Sequence, residues 1–158
     1  MVNDLKLILY SLVLIMILVI LYIAFVKKMK VPNDYFRRVV LINNIFYMKK
    51  KSIKVLNELL KLDNLRKQDI YNAYAYLGEI YFQCKNYSKA SEMFDIAYKM
   101  IRMEKIYYRD WYNIMIKSYF MAGRKDYAII IYRELLEKKD YDKQFERVRK
   151  TSKLLGVK

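Results

Sequence analysis

The chain of 158 residues carries 31 Lys and Arg against 16 Asp and Glu, a net charge of +15, and is 56% hydrophobic, so it is apolar enough to build a core. It has no histidine, one cysteine (Cys84), one proline (Pro32) and three glycines (Gly78, Gly123, Gly156). The usual proton shuttle and commonest metal ligand are therefore missing, and a disulfide framework, a cysteine zinc cluster and a glycine-rich phosphate loop are excluded.

Leu7 to Val26 is twenty residues without a charge, mostly Leu, Ile and Val. As a helix rising about 1.5 Å per residue it is about 30 Å long, the thickness of a bilayer's hydrocarbon. Tyr10 and Tyr22 sit near its ends, where amphipathic rings suit the headgroup boundary. A cleaved leader is the rival reading, but the apolar stretch exceeds the roughly 7–15 residues of a leader and no small-x-small cleavage site follows. Residues 1–28 are read as a transmembrane anchor and 29–34 as a basic connector.

The charge is unevenly placed. Residues 27–54 hold nine basic residues (Lys27, Lys28, Lys30, Arg37, Arg38, Lys49, Lys50, Lys51, Lys54) against Asp34 alone, or +8. Residues 55–137 carry only +2, and 138–158 carry +5. Lys27, Lys28, Lys30, Arg37 and Arg38 lie beside the span, where anionic headgroups attract basic side chains at about 1 kcal/mol each. Positive charge after the span places the polar region on the cytoplasmic side. The extracytoplasmic topology is the alternative, since long domains translocate largely regardless of charge.

Beyond Pro32, which Asn33 or Asp34 can follow as a helix cap, apolar residues recur three and four apart with no further proline. That period predicts consecutive amphipathic helices. Breaks are expected near Lys49–Lys51, Asp63–Arg66, Lys85–Tyr87, Glu104–Ile106, Gly123–Lys125 and Lys139–Asp140, giving six helices before a seventh from about Tyr141 to Leu155. The fold class is all-α.

In the middle of the chain Tyr74, Leu77, Gly78 and Tyr81 stand at the aromatic-x2-Leu-Gly-x2-Tyr spacing, and Ala90, Phe94 and Ala97 follow at the spacing of a second helix. Gly78 and Ala90 are small enough to let two helices touch. This segment resembles a tetratricopeptide repeat. A second copy, Tyr112, Met115, Ile116, Tyr119, Ala128, Tyr132 and Leu135, lies 38 residues on, and a weaker one runs from Val39 to Leu62. The resemblance implies a short α-solenoid over residues 35–140, of about three helix pairs, with 141–158 as a basic capping helix carrying Tyr141, Phe145, Val148 and Leu155 on one stripe.

The resemblance also implies a concave groove lined by the first helix of each pair. Its slots fall on Arg37, Val40, Asn44, Tyr47 and Met48, then on Asn72, Ala75, Glu79, Phe82 and Gln83, then on Asp110, Asn113, Lys117, Phe120 and Met121. Asparagines there can bond a peptide backbone, and Tyr47, Phe82 and Phe120 offer apolar anchors. Of the five slots of the chaperone-binding carboxylate clamp only Asn44 matches, since Val40, Tyr76, Asp110 and Ile114 fill the rest, so that specialisation is not expected.

The acidic residues fall singly among Lys and Arg on polar helix faces, the pattern of a solvated surface. No catalytic, cofactor or metal residues are expected, and Cys84 has no histidine partner. The expected function is a membrane-tethered, non-enzymatic adaptor that holds a protein or peptide segment. A nucleic-acid binder using the basic ends ranks behind it, because a charge patch alone is nonspecific. A peptide-binding protein built like a mitochondrial import receptor ranks third, since so basic a domain suits basic presequences poorly.

Overall fold

A computed structural model describes residues 2–157 of the chain. Among them there are helices and turns and no strand. In order these are α1 (Val2–Leu21) continued by a π-helical turn (Tyr22–Val26), α2 (Pro32–Asn44), α3 (Lys49–Leu59), α4 (Lys67–Gln83), α5 (Tyr87–Ile101), α6 (Trp111–Met121) and α7 (Lys125–Glu137). Two 3-10 segments (Lys138–Asp140, Lys143–Thr151) and the short α8 (Ser152–Leu155) complete the chain. Two compact units result, Met1–Leu59 and Leu60–Lys158.

In the first unit, Lys6–Val26 is long and apolar enough to cross a membrane, and its side chains from Leu7 to Val19 are exposed. The π turn, closed by the Lys27 N–H donating to the Tyr22 carbonyl at 2.9 Å, brings Ala24 into a fully buried position. Phe25 meets Phe46 edge-on at 5.2 Å, and the Lys51 ammonium lies 4.2 Å from the centre of the Phe25 ring. Tyr35, Val39 and Ile42 of α2 and Val55, Leu56 and Leu59 of α3 are buried.

Two expectations in this unit are corrected. The α2 cap is Val31, not Asn33 or Asp34. Asp34 instead reaches back from the first turn, accepting from Lys27 Nζ at 2.7 Å and from the Lys30 N–H at 3.2 Å. The Lys27 bond first, then that amide, holds its carboxyl down at about 2. The Arg38 guanidinium donates to the Lys27 carbonyl, and Lys28, Lys30 and Arg37 are exposed. Finally, the break after α2 lies at residues 45–48, where Tyr47 has φ 53°, and Lys49–Lys51 form the first turn of α3.

In the second unit, α4 and α5 are joined by a three-residue turn in which the Asn86 side chain accepts from the Lys89 N–H at 3.2 Å. Leu77, Gly78, Ala90, Phe94 and Ala97 are buried, and Tyr74 and Tyr81 half-buried. A Cβ at Gly78 would stand 2.8 Å from the Phe94 ring, so the absent side chain is what lets the helices meet there. Phe94 in turn stacks on Trp111 at 5.7 Å, with ring planes 8° apart. One apolar cluster runs from α4 through α5, α6 and α7 to Phe145, Val148 and Leu155.

Polar ties fix α5 against its neighbours. Asp95 accepts from the Tyr119 hydroxyl at 2.9 Å and from Arg124 at 2.7 Å, and Glu134 accepts from the Tyr98 hydroxyl at 2.7 Å and pairs with Arg102 at 2.6 Å. Gly123, at φ 79°, turns the chain between α6 and α7. The expected seventh α-helix is instead mostly 3-10. Three residues per turn aligns Phe145, Val148 and Thr151 on one line, and all three are fully buried. Tyr141 is exposed, its hydroxyl donating to the Ile106 carbonyl at 2.8 Å. Gly156 caps α8 in the left-handed conformation.

Candidate functional site

α4 carries Asn72, Ala75, Tyr76 and Glu79 along one face at helical spacing. Together with Arg109, Asp110 and Trp111, at the entry to α6, they line a cavity of about 300 Å³. The segment between α5 and α6 (residues 102–110) is held by Asp142, whose side chain accepts from the Tyr108 N–H at 2.9 Å. A bonded chain follows: Asn113 Nδ2 donates to the Tyr108 hydroxyl at 2.7 Å, and that hydroxyl donates to Asp110 Oδ1 at 3.3 Å. Arg147 pairs with Asp110 at 3.0 Å and lies 5.0 Å from the centre of the Tyr108 ring.

The cavity wall carries two carboxyl groups, Glu79 and Asp110, and one guanidinium, Arg109, and Asp110 is paired with Arg147. No cation among the described residues lies within ion-pair distance of the Glu79 carboxylate. Burial, then the neighbouring Asp110 charge, pushes its carboxyl up to about 7. Burial first and Glu79 second also raise the Tyr76 phenol, against a smaller opposing effect of Arg109. Arg109 has its guanidinium 6.0 Å from the centre of the Tyr71 ring. Two buried polar atoms nearby have no hydrogen-bond partner among the described residues: the indole N–H of Trp111 and the amide oxygen of Asn113.

The residues expected in the groove are distributed unevenly. Asn72 and Glu79 line the cavity, and Asn113 is tied to it through Tyr108 and Asp110. Phe82 and Phe120 pack half-buried against the apolar cluster, Phe82 edge-on to Tyr87 at 5.4 Å. Gln83 is exposed at the end of α4 and Lys117 is half-buried on α6. Arg37, Asn44 and Tyr47 belong to the other unit. Arg37 and Asn44 are exposed on α2, whereas Tyr47, 76% exposed, lies in the turn after α2 and not on a helix.

One expectation is overturned here. The acidic residues do not all lie singly on solvated faces, because Glu79 and Asp110 share a cavity wall. Trp111 and Arg109 were not among the expected site residues. The one signal for Trp111 was its being the only tryptophan of the chain, set between Asp110 and the start of an apolar period. Cys84 is an exposed free thiol, and no group of three or more His, Cys, Asp or Glu arranged to hold a metal ion is found among the described residues.

No protein-family model matches the chain, and neither the curated proteins nor the solved structures yield a match.

Proposed function

We propose that the chain is a membrane-anchored helical adaptor of tetratricopeptide type, which binds a segment of a partner protein on the surface formed by α4 and α6. The observation that carries this reading is the cavity. Four of its wall residues, Asn72, Ala75, Glu79 and Asp110, stand at positions that would face the concave side of such an array, and the Glu79 carboxylate there has no cation within ion-pair distance among the described residues. The contact of Gly78 with Phe94 supports the repeat assignment, because a glycine facing an aromatic ring is what the motif spacing requires physically.

The exposed apolar face of α1 supports a retained span, and the length of that helix suits it equally to a signal sequence. Retention is therefore part of the proposal, as is the cytoplasmic placement of the helices after it. The bonds among Lys27, Asp34 and Arg38 favour retention, because they fasten the end of the span to α2.

Photocrosslinking from Asn72, Asn113 and Glu79 in intact membranes tests the reading. A discrete crosslinked protein is expected at all three positions, and joint substitution of Asn72, Phe82 and Asn113 by Ala should abolish capture. Unchanged capture by that triple variant would overturn it.

Glu79 and Asp110 also favour a second, catalytic reading, since a carboxyl poised near neutrality suits proton transfer. The cavity supplies that reading poorly: the Tyr76 phenol is pushed further from ionisation, and Asp110 is tied to Arg147. Binding is the function adopted.

A further inference from the structure

The proposed surface leaves the chemistry of its ligand open, and the cavity narrows it. Three features of its wall point to one kind of group. Glu79 presents a carboxylate with no cation within ion-pair distance among the described residues, and Asp110 adds a second carboxylate whose side chain is 75% exposed despite the Arg147 contact. Tyr76 and Trp111 supply aromatic walls, against which a cation is favoured. Ala75 adds a small apolar side chain to the wall, suited to an aliphatic stem.

We propose that the cavity receives an arginine or lysine side chain of an extended partner segment, its cationic head against Glu79 and Asp110 and its stem along Ala75 and Trp111. The inference rests on the adaptor reading and adds the chemical class of the partner. It gives a protein of net charge +15 a basic partner, which its overall field repels. Selectivity then comes from the local carboxylates, and affinity rises with ionic strength until the Debye length shrinks to the size of the cavity.

Binding also depends on pH. The titratable and charged groups facing Glu79 are Tyr76 on its own helix and Arg109 and Asp110 ahead of α6; α5 contributes no residue to the cavity wall. Affinity therefore rises from pH 6 to pH 8 as the Glu79 carboxyl ionises.

The test uses the full chain in detergent micelles and acetylated, amidated twelve-residue Ser/Gly peptides. These are identical except for a central residue, which is Arg, Lys, Gln or Glu. Trp111 is the only tryptophan, so its fluorescence reads the cavity directly, and anisotropy of labelled peptide gives the affinity. Arg and Lys peptides should bind roughly tenfold or more tighter than the Gln peptide, the size of one desolvated charge-assisted hydrogen bond. Glu79→Gln should remove that preference, and Asp110→Asn should reduce it, while Arg109→Ala, which removes a competing cation, should strengthen it.

Equal binding of the four peptides, or a preference that survives in Glu79→Gln, overturns the proposal. If Glu79→Gln proves unstable, the pH profile of the unaltered chain decides: an Arg preference that does not fall between pH 8 and pH 6 counts against it. Loss of the charge preference alone leaves the adaptor reading standing, provided that the Asn72, Phe82 and Asn113 triple variant still abolishes crosslinking. Loss of both ends that reading too.

Discussion

At the scale of single residues, Glu79 has a consequence for stability that is separate from binding. Its carboxyl titrates near 7 in the folded protein against a reference of 4.5, so between those values the folded state holds more protons than the unfolded chain. The sign follows: stability contributed by this group is greatest below pH 4.5, falls as pH rises through the window, and stays lowest above 7. A shift of that size corresponds to on the order of 3 kcal/mol before any relaxation of the site. Glu79→Gln should therefore be more stable than the unaltered chain by about 1–3 kcal/mol at pH 8, with the gap closing towards pH 5, as read by thermal melts in detergent across that range. Gly78 gives a prediction of opposite sign. Alanine gains about 1 kcal/mol of helix propensity there but drives a Cβ into the Phe94 ring, and overpacking costs about 1–3 kcal/mol. The net expectation is a loss of about 1 kcal/mol. Because Phe94 stacks on Trp111, the same variant should shift the emission of the tryptophan, and a stable variant with unchanged emission would contradict this account.

At the scale of elements, the second unit is held by helix faces that combine an apolar stripe with a few buried polar ties. α6 packs its Trp111, Tyr112, Met115, Ile116 and Tyr119 face into the cluster, and Tyr119 carries its hydroxyl out of that cluster to Asp95 on α5. Arg124, at the start of α7, completes the tie and lies 4.8 Å from the centre of the Tyr119 ring and 4.7 Å from that of Tyr127. Three helices thus meet on one carboxylate. Burial first, then Asp95, pushes the Tyr119 phenol up, so it remains a donor across the working pH range. Arg124→Ala removes the charge partner of Asp95 and two cation–ring contacts. A loss of about 1–2 kcal/mol is expected, discounted because Arg124 is partly exposed, and Asp95→Asn in the same background should recover part of it. A double-mutant cycle in denaturant measures that coupling; strictly additive losses would remove Asp95–Arg124 as a tie.

At the scale of the whole molecule, Lys6–Val26 is the one helix among the described residues long and apolar enough to cross a membrane. If the span is retained, the protein should stay with membranes through alkaline carbonate, leave them in detergent, and keep an epitope placed at its N-terminus. Ile15→Lys together with Val19→Lys should move it to the soluble fraction, since each charge at mid-span costs about 2.5–3.5 kcal/mol on insertion scales. A soluble product lacking the N-terminal epitope would instead identify a cleaved leader. The charge itself has a divided role. Lys27 and Arg38, which by position alone belong to the headgroup-facing cluster, bond Asp34 and the Lys27 carbonyl, leaving Lys28, Lys30 and Arg37 exposed on this stretch.

The all-helical character, the apolar N-terminal helix, the Gly123 turn and the Gly156 cap could all be read from residues close together in sequence. Helical period, apolar run length and a left-handed cap depend only on neighbours within a few positions. The small-residue slot at Gly78 was legible for the same reason, since its partner Phe94 stands at a fixed spacing across one short turn. Tyr47 and the Lys49–Lys51 break were misplaced because a lysine run looks like a turn by composition, whereas a buried Ser52 and Val55 pull those lysines into the first turn of α3. The 3-10 tail was misread because i, i+3 burial of Phe145, Val148 and Thr151 fits either helix until the surface it packs on is known. The site was only half legible. Asn72 and Glu79 could be placed on a face of α4, but whether that face meets solvent or another carboxylate depends on Asp110, 31 residues away, and on the Asp142 and Arg147 contacts that hold it. Sequence alone determined the elements, because their causes are local. Tertiary structure decided which charges are paired, which are stranded and what the cavity can hold, because desolvation and Coulomb energies depend on distances that only packing sets.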